Sequence, residues 1–229
     1  MKEQIVKHYS ASNKARVFLV DDHPIVRRGI QLLVGLERDL IICGQAESAP
    51  EALEQIRRLE PDLAVVDLAL KESSGIDLIK DLRVQCPKVK ILVFTMHDEP
   101  LYAERVLKAG AHGYVTKEEG SDKAIEAIRS VLDGKPYLSG RLANHMLEGL
   151  TGFSKTKSAG GLESLSDREL EVLDLVGRGL SSKDIAQRLK ISVKTVESHR
   201  EHIKAKLGLR GANELVQYAF KWVNRQQRI

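Results

Sequence analysis

Aromatic residues, cysteines and long apolar runs are all scarce in this chain. Phe, Tyr and Trp together are 4% of 229 residues, which argues against a large aromatic-lined ligand pocket. The two cysteines, Cys43 and Cys86, sit in or beside apolar stretches and form no CxxC or Cys/His cluster. Two free thiols in a reducing compartment are expected, not a disulfide or a metal site. The first 14 residues are polar and lack the apolar core of a secretory leader. No run approaches the roughly 18 apolar residues of a membrane helix. The expectation is a cytoplasmic protein with no membrane partner.

What is present is a globular composition, 42% hydrophobic and 30% charged, on a chain long enough for two domains. The net charge of +4 is unevenly spread. Residues 1–134 hold 19 Lys and Arg against 22 Asp and Glu, whereas residues 135–229 hold 17 against 10. An acidic front and a basic back suggest two tasks, the second with a polyanion.

The front half alternates short apolar runs with amphipathic stretches. Residues 16–20, 40–43, 63–66, 91–95 and 113–116 read as buried parallel strands. Pro24 suits the first turn of a helix whose inward side would be Ile25, Val26, Ile30 and Leu33. Ser48 and Glu51 have capping-box spacing. Helical patterns over 76–82, 101–109 and 122–132 complete five βα units, and hence a five-stranded doubly wound parallel sheet. Such sheets gather their sites at the carboxyl ends of the strands.

Behind this lie a short helical pattern over 139–150 and a Gly-, Ser- and Lys-rich stretch over 151–161 that reads as a linker. From Leu165 the signal is entirely helical. Capping-box pairs Ser166/Glu169 and Ser181/Asp184, a cap at Ser192 and an exit at Gly208 bound successive helices, followed by a last one over 212–223. The expected divisions are a tail over 1–14, an α/β domain over 15–134, a linker with a short helix over 135–163, and a small four-helix domain over 164–229.

Five polar residues stand at the ends of four different strands: Asp21 and Asp22, Asp67, Thr95 and Lys117. An isolated Asp in such a place is usually a turn or helix cap; five together are far harder to ascribe to capping. Clustered carboxylates repel one another and form a hard oxygen site suited to Mg²⁺. One of them, Asp67 by its central place, can attack phosphorus. Lys117 and Thr95 would then hold the transferred oxygens.

In this order the residues resemble a CheY-type receiver domain over about 15–134. The resemblance implies phosphorylation at Asp67, with Mg²⁺ held by Asp21, Asp22, Asp67 and the Ala69 carbonyl. It also implies Thr95 and Tyr114 as a switch pair and Lys117 as the phosphate partner. Receivers usually carry Pro four residues after the phosphorylated Asp; here that position is Lys71. A phosphohydrolase of the haloacid-dehalogenase type also uses a nucleophilic Asp, Mg²⁺ and Lys. It needs a second Asp where this chain has Ala69, and it leaves the basic helices unexplained.

The helices over 181–189 and 193–207 are joined by a tight turn, with Ile185, Ala186, Leu189, Val196, Ile203 and Leu207 inward. The run Leu165-Ser-Asp-Arg-Glu-Leu-Glu-Val-Leu173, with Val193-Lys-Thr-Val-Glu-Ser-His199 and Lys206-Leu-Gly208, resembles the LuxR-type helix-turn-helix. Receiver plus this module is the NarL/FixJ arrangement. It implies a response regulator, not an enzyme, whose partners are a histidine kinase, double-stranded DNA, RNA polymerase and a second copy of itself. The helix from Val193 would enter the major groove, with Glu197, Ser198 and Glu201 among the base readers. Lys183, Lys194, Thr195, His199 and Lys204 complete the expected DNA contacts, His199 being open between packing and contact.

Overall fold

The computed structural model describes residues 14–70, 73–97, 100–140, 142–143 and 161–225. The expected loop residue Lys71, most of the 139–150 helical pattern and the stretch 151–160 lie outside these.

Strands β1 (Ala15–Val20), β2 (Leu40–Ala46), β3 (Leu63–Val66), β4 (Ala69–Leu70), β5 (Ser73–Ser74), β6 (Lys90–Thr95), β7 (Gly113–Thr116) and β8 (Tyr137–Leu138) alternate with five helices. These are α1 (Pro24–Leu36), α2 (Ala49–Leu59), α3 (Gly75–Gln85), α4 (Pro100–Ala109) and α5 (Ser121–Leu132). The main sheet runs β2-β1-β3-β6-β7-β8, and every pairing in it is parallel. It has six strands, not five: Tyr137 and Leu138 pair beside Gly113 and Tyr114. Two residues are too short for a periodic signal. β4 and β5 form a separate antiparallel pair.

Alternation along the strands separates two cores. Val17, Leu19, Leu63, Val65, Leu92, Phe94 and Val115 pack with α1 and α5 on one face. Phe18, Val20, Ala64, Val66, Ile91, Val93 and Tyr114 pack with α2, α3 and α4 on the other. Ile25 departs from its expected inward place and is 85% exposed. α1 buries Arg27, Ile30 and Val34, and at 100° per residue Ile25 lies opposite Val34. Leu32 and Leu36 share its exposed side. The Ser48 hydroxyl does not close a box either. The Glu51 carboxylate instead accepts from the Glu47 amide at 3.1 Å.

The basic region folds as α6 (Asp167–Gly177), α7 (Ser182–Leu189), α8 (Val193–Leu207) and α9 (Ala212–Arg225). Ser166 and Ser181 form capping boxes with Glu169 and Asp184, and Ser192 caps the Thr195 amide. Gly208 ends α8 at φ 68°, a left-handed conformation that suits glycine. α6 and α9 cross closely: a Cβ on Gly177 would stand 2.5 Å from the Ala219 carbonyl oxygen.

The helical unit packs on the α2–α4 side of the sheet, and its apolar residues continue the same core cluster. Asp167 is the ionic centre of the contact. Its carboxylate pairs with Arg105 on α4 and Lys80 on α3, each at 2.8 Å. Arg105 also donates to the carbonyls of Leu162 and Leu165 at 3.2 and 2.6 Å. The rings of Tyr102 on α4 and Trp222 on α9 are 6.4 Å apart.

Candidate functional site

The five strand-end residues converge. β1, β3, β6 and β7 are neighbours in the sheet, so their carboxyl ends share one crevice. Lys117 Nζ donates to Asp67 Oδ2 at 2.6 Å and to Asp21 Oδ2 at 2.7 Å. Asp21, Asp22, His23 and Asp67 each offer a ligand atom within 4.8 Å of the others. The side chains of Asp67, Asp21 and Lys117 are almost wholly enclosed. Thr95 is fully buried at the end of β6, and its hydroxyl accepts from the His97 amide at 3.4 Å. Tyr114 is turned inward, and its hydroxyl donates to the His97 carbonyl at 2.6 Å. Ala69 opens the β4–β5 pair, and its amide reaches Asp67 Oδ1 at 3.3 Å.

The charges are frustrated. Burial, then the neighbouring Asp21 and Asp67 charges, raise the Asp22 pKa against the pull of His23. Burial works against the Lys117 ammonium, but Asp67 and Asp21 outweigh it and hold its pKa above the ordinary value. Asp22 Oδ1 is buried and lacks an aligned hydrogen-bond donor, although His23 Nδ1 is 2.7 Å away. Three carboxylates, one of them with an orphaned oxygen, and a single ammonium fit a hard divalent cation.

Several residues around the crevice carried no sequence signal. Arg27 is buried in α1 and donates to the Asp21 carbonyl at 2.6 Å, with Glu47 at its other end. Gly75 packs against the strand end so tightly that a Cβ would stand 2.3 Å from the Asp67 carbonyl oxygen. Arg188 of α7 lies close enough to lower the Asp22 pKa. His97 is buried and stacks on Tyr102 at 4.3 Å. Arg188 and His97 line a cleft of about 100 Å³ with Leu68, Ala69, Asp174 and Arg178. Arg188 and His97, with Tyr102 and Trp222, connect the acid crevice to the helical unit, and only tertiary packing reveals them.

On the helical unit, α8 is largely exposed toward its N-terminus. Lys183, Lys194, Thr195, Glu197, Ser198 and Glu201 all face solvent. Lys183 and Lys194 have no ion pair among the described residues. Lys204 is pinned by Glu201 at 2.8 Å, and the Thr195 hydroxyl lies 2.8 Å from Ser192 Oγ. His199 is half-buried. Burial, then Arg168, pull its pKa down, so it offers a neutral imidazole, a weak partner for phosphate. The thiols of Cys43 and Cys86 are unpaired, and burial raises both pKa values.

Comparisons with known proteins agree with this division. Residues 17–129 match the response regulator receiver domain, and residues 163–219 match the bacterial regulatory proteins of the luxR family. The oxygen regulatory protein NreC of Staphylococcus epidermidis is 35% identical over 211 residues, covering 90% of this chain and 97% of that protein. The RcsB response regulator of Salmonella typhimurium superposes with a TM-score of 0.69 at 27% identity, over 92% of this chain and 98% of that one. RcsB from Salmonella enterica serovar Typhimurium, bound to promoter rprA in the presence of the phosphomimetic BeF3-, superposes at 0.64 with 27% identity, over 90% and 98%. This chain therefore belongs to the NarL/FixJ family of response regulators, transcription regulators that join a receiver domain to a LuxR-type DNA-binding domain.

Proposed function

We propose that a histidine kinase, or a small acyl phosphate, phosphorylates Asp67, and that this undocks the helical unit so that it dimerises on promoter DNA and regulates transcription with RNA polymerase. The observation that carries this reading is the double contact of Lys117 with Asp67 and Asp21 in an enclosed crevice. The working units are taken as the receiver over 15–134, a linker over 135–163 and the DNA-binding domain over 164–229, in a cytoplasmic protein.

An Asp67 carboxylate oxygen attacks phosphorus, and the bond from phosphorus to the donor breaks; with acetyl phosphate the leaving group is acetate. Mg²⁺ held by Asp21, Asp22, Asp67 and the Ala69 carbonyl would neutralise the carboxylates and a phosphoryl oxygen. Lys117 moves from ion-pairing Asp67 to holding a phosphoryl oxygen, and Thr95 offers its hydroxyl to another. Movement of Thr95 shifts His97, whose amide it accepts from. Tyr114 loses its acceptor at the same backbone, and the Tyr102 stack beneath Trp222 loosens. Turnover is confined to loss of the chain's own phosphoryl group.

Two surfaces support the protein partners. Ile25, Leu32 and Leu36 form an exposed apolar side of α1, which begins two residues beyond Asp22; a kinase fits there. Val216 and Phe220, one turn apart on α9, are exposed and suit a second copy. For DNA, the exposed Lys183 and Lys194, which have no ion pair among the described residues, are the strongest candidates for phosphate contact, and Glu197, Ser198 and Glu201 for base edges.

The test is labelling with acetyl phosphate. Wild-type protein should incorporate one phosphoryl group and bind DNA more tightly. Asp67→Ala should incorporate none, and stoichiometric labelling of that variant would overturn the assignment.

A further inference from the structure

A second group of ligand-type side chains lies in the DNA-binding domain, away from the acid crevice. Glu169 on α6 and His199 and His202 on α8 each present a ligand atom, all within 4.8 Å of one another. We infer that Glu169, His199 and His202 form a site for a borderline first-row divalent cation, of which Zn²⁺ is the reference, bridging α6 and α8.

The helices hold these residues together. His199 and His202 are three apart on α8, so both imidazoles project from neighbouring positions of one face. α6 packs against that face through Leu170 and Leu173, with Val196 and Ile203 opposite, all fully buried. Glu169 faces the histidines from α6.

The Glu169 carboxylate is divided between two tasks. Oε2 accepts from Lys206 Nζ at 2.6 Å and from the Ser166 amide at 2.7 Å. Oε1 turns toward His202 Nδ1 at 3.7 Å, which is too long for a hydrogen bond. With metal–ligand bonds of about 2.0–2.2 Å, ligand atoms around a tetrahedral ion sit roughly 3.4 Å apart. The Oε1–Nδ1 gap is already close to that. No pair of the three is more than 4.8 Å apart, and His202, whose side chain is largely exposed, is free to rotate toward the other two.

Chemistry selects the class of ion. Two imidazoles and one carboxylate suit Zn²⁺, Co²⁺, Ni²⁺ or Cu²⁺, whereas Mg²⁺ prefers an all-oxygen shell. Three protein ligands leave one position for water. A ligating carboxylate is commonly oriented by outer hydrogen bonds, and Lys206 and Ser166 supply them. Lys206 and Arg168 also add repulsion, which weakens the site relative to a structural zinc centre. The Ser166 capping box alone would need neither histidine. The ion would brace α8, the helix assigned above to DNA, against α6. The site stands whether or not Asp67 is phosphorylated.

The test is a Zn²⁺ titration of the full chain by calorimetry with excess Mg²⁺, repeated with Co²⁺ by visible absorption. His23→Ala serves as control for the acid crevice, where His23 also offers a ligand atom. His202 is largely exposed, so His202→Ala keeps the fold, which circular dichroism verifies. The expected result is about one equivalent of Zn²⁺ bound by wild type and by His23→Ala, and at least about tenfold weaker binding by His202→Ala. Co²⁺ should give a four-coordinate visible spectrum that His202→Ala loses. Unchanged Zn²⁺ affinity and stoichiometry in His202→Ala, or binding lost only in His23→Ala, would overturn the site.

Discussion

The Tyr114 hydroxyl donates to the His97 carbonyl at 2.6 Å, which ties a buried ring of β7 to the backbone just beyond β6. His97 in turn stacks on Tyr102. Tyr114→Phe removes this bond and leaves a buried carbonyl unsatisfied. We expect a loss of about 1–3 kcal/mol in urea unfolding, with tighter DNA binding by the unphosphorylated protein. Unaltered unfolding would show that the bond carries no net stability.

Arg105 makes three contacts with the helical unit, through Asp167, Leu162 and Leu165. The Arg105–Asp167 pair is partly exposed, so its contribution is modest. Arg105→Ala should shift the balance toward the undocked form by roughly tenfold, about 1.4 kcal/mol. X-ray scattering should show a larger particle, and DNA affinity without phosphate should rise. An unchanged radius would mean that docking rests on the apolar contact instead.

Acid should loosen the same contact. Burial, foremost, holds the His97 pKa below 6.5, aided by Arg178 and Lys117 and opposed by Asp174 and Asp67. The docked form thus binds fewer protons than one in which His97 is solvated. Its contribution is full above pH 6.5 and is lost as pH falls from there toward the lowered value. Between about pH 7.5 and about pH 5.5 the protein should expand, and His97→Gln should flatten that response. A titration identical in wild type and variant would assign the pH effect elsewhere.

On DNA, Lys194→Ala should weaken binding to all sequences alike. It should also reduce the slope of log affinity against log salt by about 0.9. Lys204→Ala should change the slope less, because Glu201 already pairs with its ammonium at 2.8 Å. Filter binding across a salt series measures both; equal slope changes would refute this ranking.

The acid crevice was legible because short, near-continuous apolar runs with intervening helices imply a parallel sheet covered on both faces, and that sheet dictates where strand ends go. Asp21, Asp22, Asp67, Thr95 and Lys117 needed only that rule. The caps at Ser166, Ser181 and Ser192 were legible from spacing, while Ser48 was not, because Glu51 turned to the Glu47 amide instead. Ile25 misled because an apolar residue in a first turn reads as inward until the helix's orientation is known. The docking contacts left no trace, since Arg105, Lys80 and Asp167 resemble any solvated helix charges in sequence. A bridge between Glu169 and His199 is likewise invisible, thirty residues apart on two helices that only packing joins.

Gly75 carries a warning for anyone reading a mutational scan of this protein. It has no side chain to react, yet a single methyl there would stand 2.3 Å from the Asp67 carbonyl oxygen and displace the acceptor it supports. Alanine at this position would imitate the loss of a chemically active residue, while alanine at Gly29 or Gly35, which meets nothing within 4 Å, would pass unnoticed.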